Sequence, residues 1–380
     1  MKLPIRKLLV VFATAWLITA PFIGWWKALI LAVFAALDMS ATEGGAGRKW
    51  FSRQASLSHL VSGFKSLGSI LLRSTRLYYV VLTLFLLLPF VLNRYQTEIV
   101  TLALIYVTLA IGLNYIVGLC GMLALGYIAF YAIGAYTYAL LNAHFGMNLF
   151  VALPISMAMG GLAGLLVSLP ALRLRGDYLA IVTLGFGEIV RIVLNNWDSV
   201  TAGPNGIMGI ARPSLFGIKL GTPLGYYLLA GGMAALAMFV QARLIKSRTG
   251  RAWEAIREDQ LAAAHSGVPV FKMKLLAMAL GAAWAGAAGA LFASRQTHIS
   301  PESFTFLESV LVLCMVVLGG MGSVWGPALG ALGLILIPEF LRGVELYRML
   351  AFGLLMVWMM HFRRGGLIPS LRLKTTSRAT

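Results

Sequence analysis

Residues able to bind, polarise or couple are few in this chain, and they lie where charge is costly. Glu188 and Arg191 stand three apart inside an apolar run, Glu308 lies two turns beyond Ser300-Pro301-Glu302, and Asn114 sits within another run. An ionisable side chain at membrane depth is expensive and marks a pathway by default. Glu188 and Arg191 also have the spacing of a helical ion pair, which reads as structural pairing, and Arg191 can extend outward past Asn195 and Asn196. Ser300, Pro301 and Glu302 fit the N-cap, first position and first turn of a helix.

Enzyme chemistry finds no support. His59, His144, His265, His298 and His361 are scattered over different segments, and none has ligand spacing with a cysteine or an acid, so no metal site is expected. No nucleophile–base grouping stands out. No G-x-x-x-x-G-K-[ST] loop occurs, so the chain does not hydrolyse ATP by that route. Cys120 and Cys314 both fall inside apolar stretches and read as packing residues, not as a disulfide framework.

The charged segment 250–266 is the most informative polar feature. It reads as a helix of about four turns, with Trp253, Ile256, Leu261 and Ala264 on one side and Arg251, Glu254, Arg257 and Glu258 at neighbouring positions, Asp259 following. Gly267 stops it, with Pro269 just beyond. Too short and too charged to span, it is a solvated connector or a docking lever for a soluble partner, anchored by Trp253. Elsewhere, Gly203-Pro204 and Asn205-Gly206 are strong turn dipeptides; this turn closes an outer mouth, contacts a delivery partner or is plain surface.

The elements that must position these residues are membrane helices. Of 380 residues, 59% are hydrophobic and 12% charged, against roughly 25% charged in soluble domains. The fold class is therefore all-α, a polytopic integral membrane helical bundle. Ten spans are expected: 77–92, 98–118, 121–141, 149–169, 178–196, 224–242, 275–293, 305–319, 323–340 and 345–361. The net charge of +18 comes from 31 Lys and Arg against 13 Asp and Glu. These basic residues gather between apolar runs, as in cytoplasmic loops, so nucleic acid is not indicated. Arg73 and Arg76, Arg173 and Arg175, the segment 243–274, and Arg363 and Arg364 all fall on one side by alternation. That makes the C-terminus cytoplasmic.

Residues 1–76 form an N-terminal membrane anchor and a basic segment. The apolar run 8–37 follows Lys2, Arg6 and Lys7, and Pro21 after Thr19-Ala20 disfavours cleavage, so the anchor is retained. One crossing and a short hairpin both fit. Over 40–76, Leu57, Leu60, Phe64 and Leu71 recur among Arg53, Lys65, Arg73 and Arg76, which suits an interfacial helix or a linker. Within the bundle, Gly160 with Gly164, Gly281 with Ala285 and Gly289, and Gly326 with Gly330 form small-residue stripes for close helix approach. The glycine-rich breaks 118–126 and 319–326 echo each other, as interruptions in transporter repeats do.

Five stretches carry a resemblance. They are 172–191 (LRLRGDYLAIVTLGFGEIVR), 203–207 (GPNGI), 250–259 (GRAWEAIRED), 300–306 (SPESFTF) and 317–327 (VLGGMGSVWGP). In this order they resemble the LivM-type permease subunits of branched-chain amino acid ABC importers, over roughly residues 80–365. The resemblance implies a type II-like ABC importer permease fold with a core over 77–365, a cytoplasmic tail over 366–380 and a location in the bacterial inner membrane. It implies a homologous second permease, two cytoplasmic ATP-binding subunits that hold ATP and magnesium, and a periplasmic binding protein presenting leucine, isoleucine or valine. It also makes 250–266 the coupling helix. The pathway is then mostly apolar, with Asn114, Glu188, Arg191 and Glu308 as its polar groups. Alternative readings are an ABC permease for urea, short amides or other amino acids, and an ion-coupled secondary transporter using Glu188 and Glu308.

Overall fold

The computed structural model describes residues 92–172, 177–215 and 218–340, with single positions 89, 353, 366 and 367. The spans expected at 77–92 and 345–361, the segment 1–76, Arg173 and Arg175, and the tail from 368 lie outside these residues.

Ten helices carry the described chain: α1 (Arg94–Leu113), α2 (Ile128–Phe145), α3 (Leu149–Ala171), α4 (Asp177–Asn196), α5 (Pro223–Ile245), α6 (Arg248–Glu258), α7 (Gln260–His265), α8 (Val270–Gln296), α9 (Phe306–Gly319) and α10 (Trp325–Phe340). Single turns at Asp198–Thr201, Gly203–Asn205 and Pro301–Ser303 punctuate the links. Among the described residues, six stretches are long and apolar enough to cross a membrane, and eight of the expected spans coincide with helices. The chain is a multi-pass helical membrane protein.

Local chemistry sets the helix ends. Gln96 accepts the Asn93 N–H at 3.1 Å to open α1, and Thr222 accepts the Gly225 N–H at 3.1 Å ahead of Pro223 to open α5. Gly146, at φ 61°, closes α2 in the left-handed conformation.

The centre is built from α1 and α8, which are buried along most of their length, while α3, α4 and α5 bury only a minority of their residues. Outward apolar residues such as Leu166, Ile181, Ile189 and Phe239 form the surface that lipid covers. α8 crosses α3 on the expected Gly160–Gly164 stripe but through Ala282 and Gly286, while the expected Gly281 and Gly289 face α1 and α2: a Cβ on Gly286 would strike the Ser156 carbonyl, and one on Gly160 would lie 2.6 Å from the Ala282 oxygen. Gly112 and Gly281 bring α1 and α8 together in the same way. Backbones this close gain dispersion contacts that larger side chains would forbid.

Three expected boundaries move. The span beginning at 121 is irregular until α2 starts at Ile128, because Gly121 (φ 73°) and Gly126 admit neighbours where a side chain would clash. Ser300-Pro301-Glu302 does not open α9: the Ser300 side chain caps nothing, one 3-10 turn follows, and α9 starts after Thr305. The segment 250–266 is two helices, since Asp259 is extended at φ −153° and ψ 115°. Two short antiparallel pairings, β1 (Ile207–Met208) with β4 (His298–Ile299) and β2 (Ser214–Leu215) with β3 (Ile218–Lys219), tie the links at the end opposite α6.

Candidate functional site: a short lever latched to a broken helix

α6 turns directly under the end of α5. Ser247 accepts the Gly250 N–H at 3.3 Å, and Gly250 is bare because a Cβ there would meet the carbonyls of Leu244 and Ile245. Asp259 then opens α7, its Oδ1 accepting from Leu261 N at 2.7 Å and Ala262 N at 3.0 Å. The N–H groups of Ala262 and Leu261 hold the Asp259 carboxyl below its ordinary value.

The two faces of this lever differ sharply. Trp253 and Ile256 are buried, whereas Arg251, Glu254, Glu258, Asp259 and Leu261 are exposed. Trp253 is therefore not an anchor offered to a partner. Its Nε1–H donates to the Met273 carbonyl at 2.8 Å, and its ring meets Tyr115 edge-on with centroids 6.1 Å apart. Leu261 likewise leaves the apolar face expected for it, because the break at Asp259 rotates α7 and buries Ala263 instead.

Arg257 reaches across to the end of α1. There α1 loosens into a π turn over Asn114–Leu119, and Arg257 Nη1–H donates to the Gly118 carbonyl at 2.5 Å. Gly121 lies against the Arg257 backbone and stem. One turn back, Asn114 binds the α9–α10 turn with both ends of its amide: Oδ1 accepts from Gly322 N and Nδ2 donates to the Ser323 carbonyl, each at 2.9 Å. Gln241 at the end of α5 donates to the same Ser323 carbonyl at 3.1 Å. Asn114, expected on the pathway, is instead fully buried in this latch. The two glycine-rich breaks that echo in sequence thus meet in space.

The remaining candidates are placed elsewhere. Glu188 and Arg191 form their own ion pair on α4, Oε2 to Nε 2.9 Å, each about a third exposed. Glu308, half-buried, accepts from the Tyr106 hydroxyl at 2.6 Å. At the end opposite the lever, Gly203 and Gly206 are buried while Pro204 and Asn205 form an exposed tip. Gly206 packs on the Ile299 carbonyl, so β1 fastens this turn to the link before α9. Among these partners, Tyr106, Gln241 and Ser323 escaped sequence reasoning. Gln241, a lone amide at the end of an apolar run, was the one legible signal.

A bundle with an outward apolar belt, interrupted helices and a charged lever is the architecture of a membrane transport permease. Residues 95–360 match the family described as branched-chain amino acid transport system / permease component, and the chain belongs to that family. It is 48% identical over 307 residues to the high-affinity branched-chain amino acid transport system permease protein LivM of Escherichia coli (strain K12), covering 75% of this chain and 72% of that one. It is 27% identical over 239 residues to a probable branched-chain amino acid transport permease protein LivM of Methanocaldococcus jannaschii, covering 58% and 68%. The autoinducer 2 import system permease protein LsrC of Klebsiella pneumoniae is 28% identical over 184 residues, covering 46% and 50%. No solved structure matches.

Proposed function

We propose that this chain is the membrane-spanning permease subunit of an ATP-driven ABC importer that carries leucine, isoleucine and valine inward by alternating access. It works beside a homologous second permease, on two ATP-binding subunits, and receives cargo from a periplasmic binding protein. It holds no cofactor of its own; ATP and magnesium belong to the partners. About ten spans and the N-terminal segment 1–76 cross or anchor in the bacterial inner membrane. The lever and the tail from 366 lie on the cytoplasmic side, and the turn Gly203–Gly206 faces the binding protein.

One observation carries this reading: the lever is charged outward and latched inward. An ATP-binding subunit gripping Arg251, Glu254, Glu258 and Asp259 moves α6 as a unit, and Arg257 passes that motion to the Gly118 carbonyl. From there Asn114 passes it to the α9–α10 turn. A π turn is a marginal conformation, so the end of α1 has two arrangements within reach for such a push to select between. Relatives with other named cargo resemble this chain at 27–28% identity, and the 48% identity to LivM favours branched-chain amino acids here.

Reversing the lever's exposed acids tests the reading. The double variant E254R/E258R, placed in the membrane with its partners, should abolish leucine uptake and the stimulation of ATP hydrolysis by the binding protein. Uptake and stimulation at normal levels would defeat the docking assignment.

A further inference from the structure

Two interruptions of the bundle meet deep within it. The run 121–127 enters from the lever end and releases α2 at Ile128, and the run 297–305 enters from the opposite end and releases α9 at Phe306. They join where the Ile128 N–H donates to Ser309 Oγ at 3.0 Å. Glu308 lies eleven residues from Gly319, and Tyr106 lies twelve from Gly118, both reference glycines being at the lever-end latch. At about 1.5 Å per residue, both stand roughly 16–18 Å from that end, near the middle of a hydrocarbon layer of about 30 Å.

This junction is chemically equipped. Tyr106 donates to Glu308 Oε2 at 2.6 Å, and among the described residues Glu308 takes part in no ion pair. A carboxylate at such depth calls for a cation. Tyr131 is 2% exposed, and its hydroxyl has no hydrogen-bond partner. Its ring lies 5.4 Å from those of both Phe292 and Phe304. Phe304 lies four residues before Glu308, and Ile128, three residues before Tyr131, holds Ser309, the neighbour of Glu308, at 3.0 Å. A carboxylate without an ion-pair partner, a buried hydroxyl without a hydrogen-bond partner and an aromatic wall match an ammonium-bearing solute with an apolar side chain.

We propose that Glu308, oriented by Tyr106, receives the ammonium group of the amino acid in transit, with Tyr131 as second polar contact and Phe292 and Phe304 against the cargo's side chain. The inference rests on the amino-acid permease reading and adds the place of recognition. The test uses the assembled importer in proteoliposomes, with radiolabelled leucine and ATP, comparing wild type with E308Q, E308D and Y131F. Gln keeps the acceptor for Tyr106 and removes only the charge. E308Q should lower uptake about tenfold or more, the scale of one charge-assisted contact, and raise the ATP hydrolysed per leucine delivered. E308D should recover much of the uptake, and Y131F should fall between. Wild-type uptake by E308Q overturns the site. So does a proportional fall in uptake and hydrolysis that E308D fails to relieve, the mark of scaffolding alone. A wild-type assembly that imports no leucine overturns the permease reading instead.

Discussion

Arg257 joins the lever to the membrane helix through one charge-assisted bond to the Gly118 carbonyl. Such a bond is worth about 1.5–3 kcal/mol. R257A should therefore cut leucine uptake about tenfold while the partner subunits go on hydrolysing ATP, a phenotype distinct from failed docking. Uptake assayed beside ATP consumption checks this. Asp259 acts more locally, on α7. Its folded carboxyl is depressed by backbone N–H groups, so its support for α7 is complete above the ordinary carboxylate value. That support is lost only as pH falls through the lower folded value. Hydrogen exchange at Leu261 and Ala262 should accelerate in that acid window, and D259N, which caps without titrating, should remove the pH dependence. Equal acid sensitivity in D259N would contradict the capping role.

Glycine contacts decide how closely the helices approach one another. Gly286 faces Ser156 and Gly160 across the α3–α8 crossing, whereas Gly185 on α4 has open space. G286V should destabilise the detergent-solubilised protein by about 1–3 kcal/mol or more. G185A should be neutral or stabilising by up to about 1 kcal/mol. Thermal unfolding of the two variants separates these outcomes. The apolar helices and the Gly160–Gly164 stripe were legible because apolar length and four-residue spacing are local properties, whereas which face of α8 meets α3 was not. So was the Glu188–Arg191 pair, formed within one helix. The break at Asp259 left only a faint local sign, an N-cap residue inside a charged run. The inward turn of Trp253 and the capture of Asn114 left none, because both depend on Met273, Gly322 and Ser323, far along the chain.

At the scale of the molecule, the two ends of the bundle are chemically unlike. One gathers the lever, the Asn114 latch and Leu367, whose N–H donates to the Leu318 carbonyl at 2.9 Å. The other gathers the Gly203–Gly206 turn and the β1–β4 pairing. With Cys120 and Cys314 replaced, a membrane-impermeant thiol reagent added outside cells should label N205C and spare E254C; labelling of both from one side would refute the orientation. The most direct measurement is leucine accumulation against its gradient in proteoliposomes holding this chain with and without its partners. Accumulation should require the second permease, the ATP-binding subunits, the binding protein and ATP together. Uphill accumulation by this chain alone, without nucleotide, would contradict it.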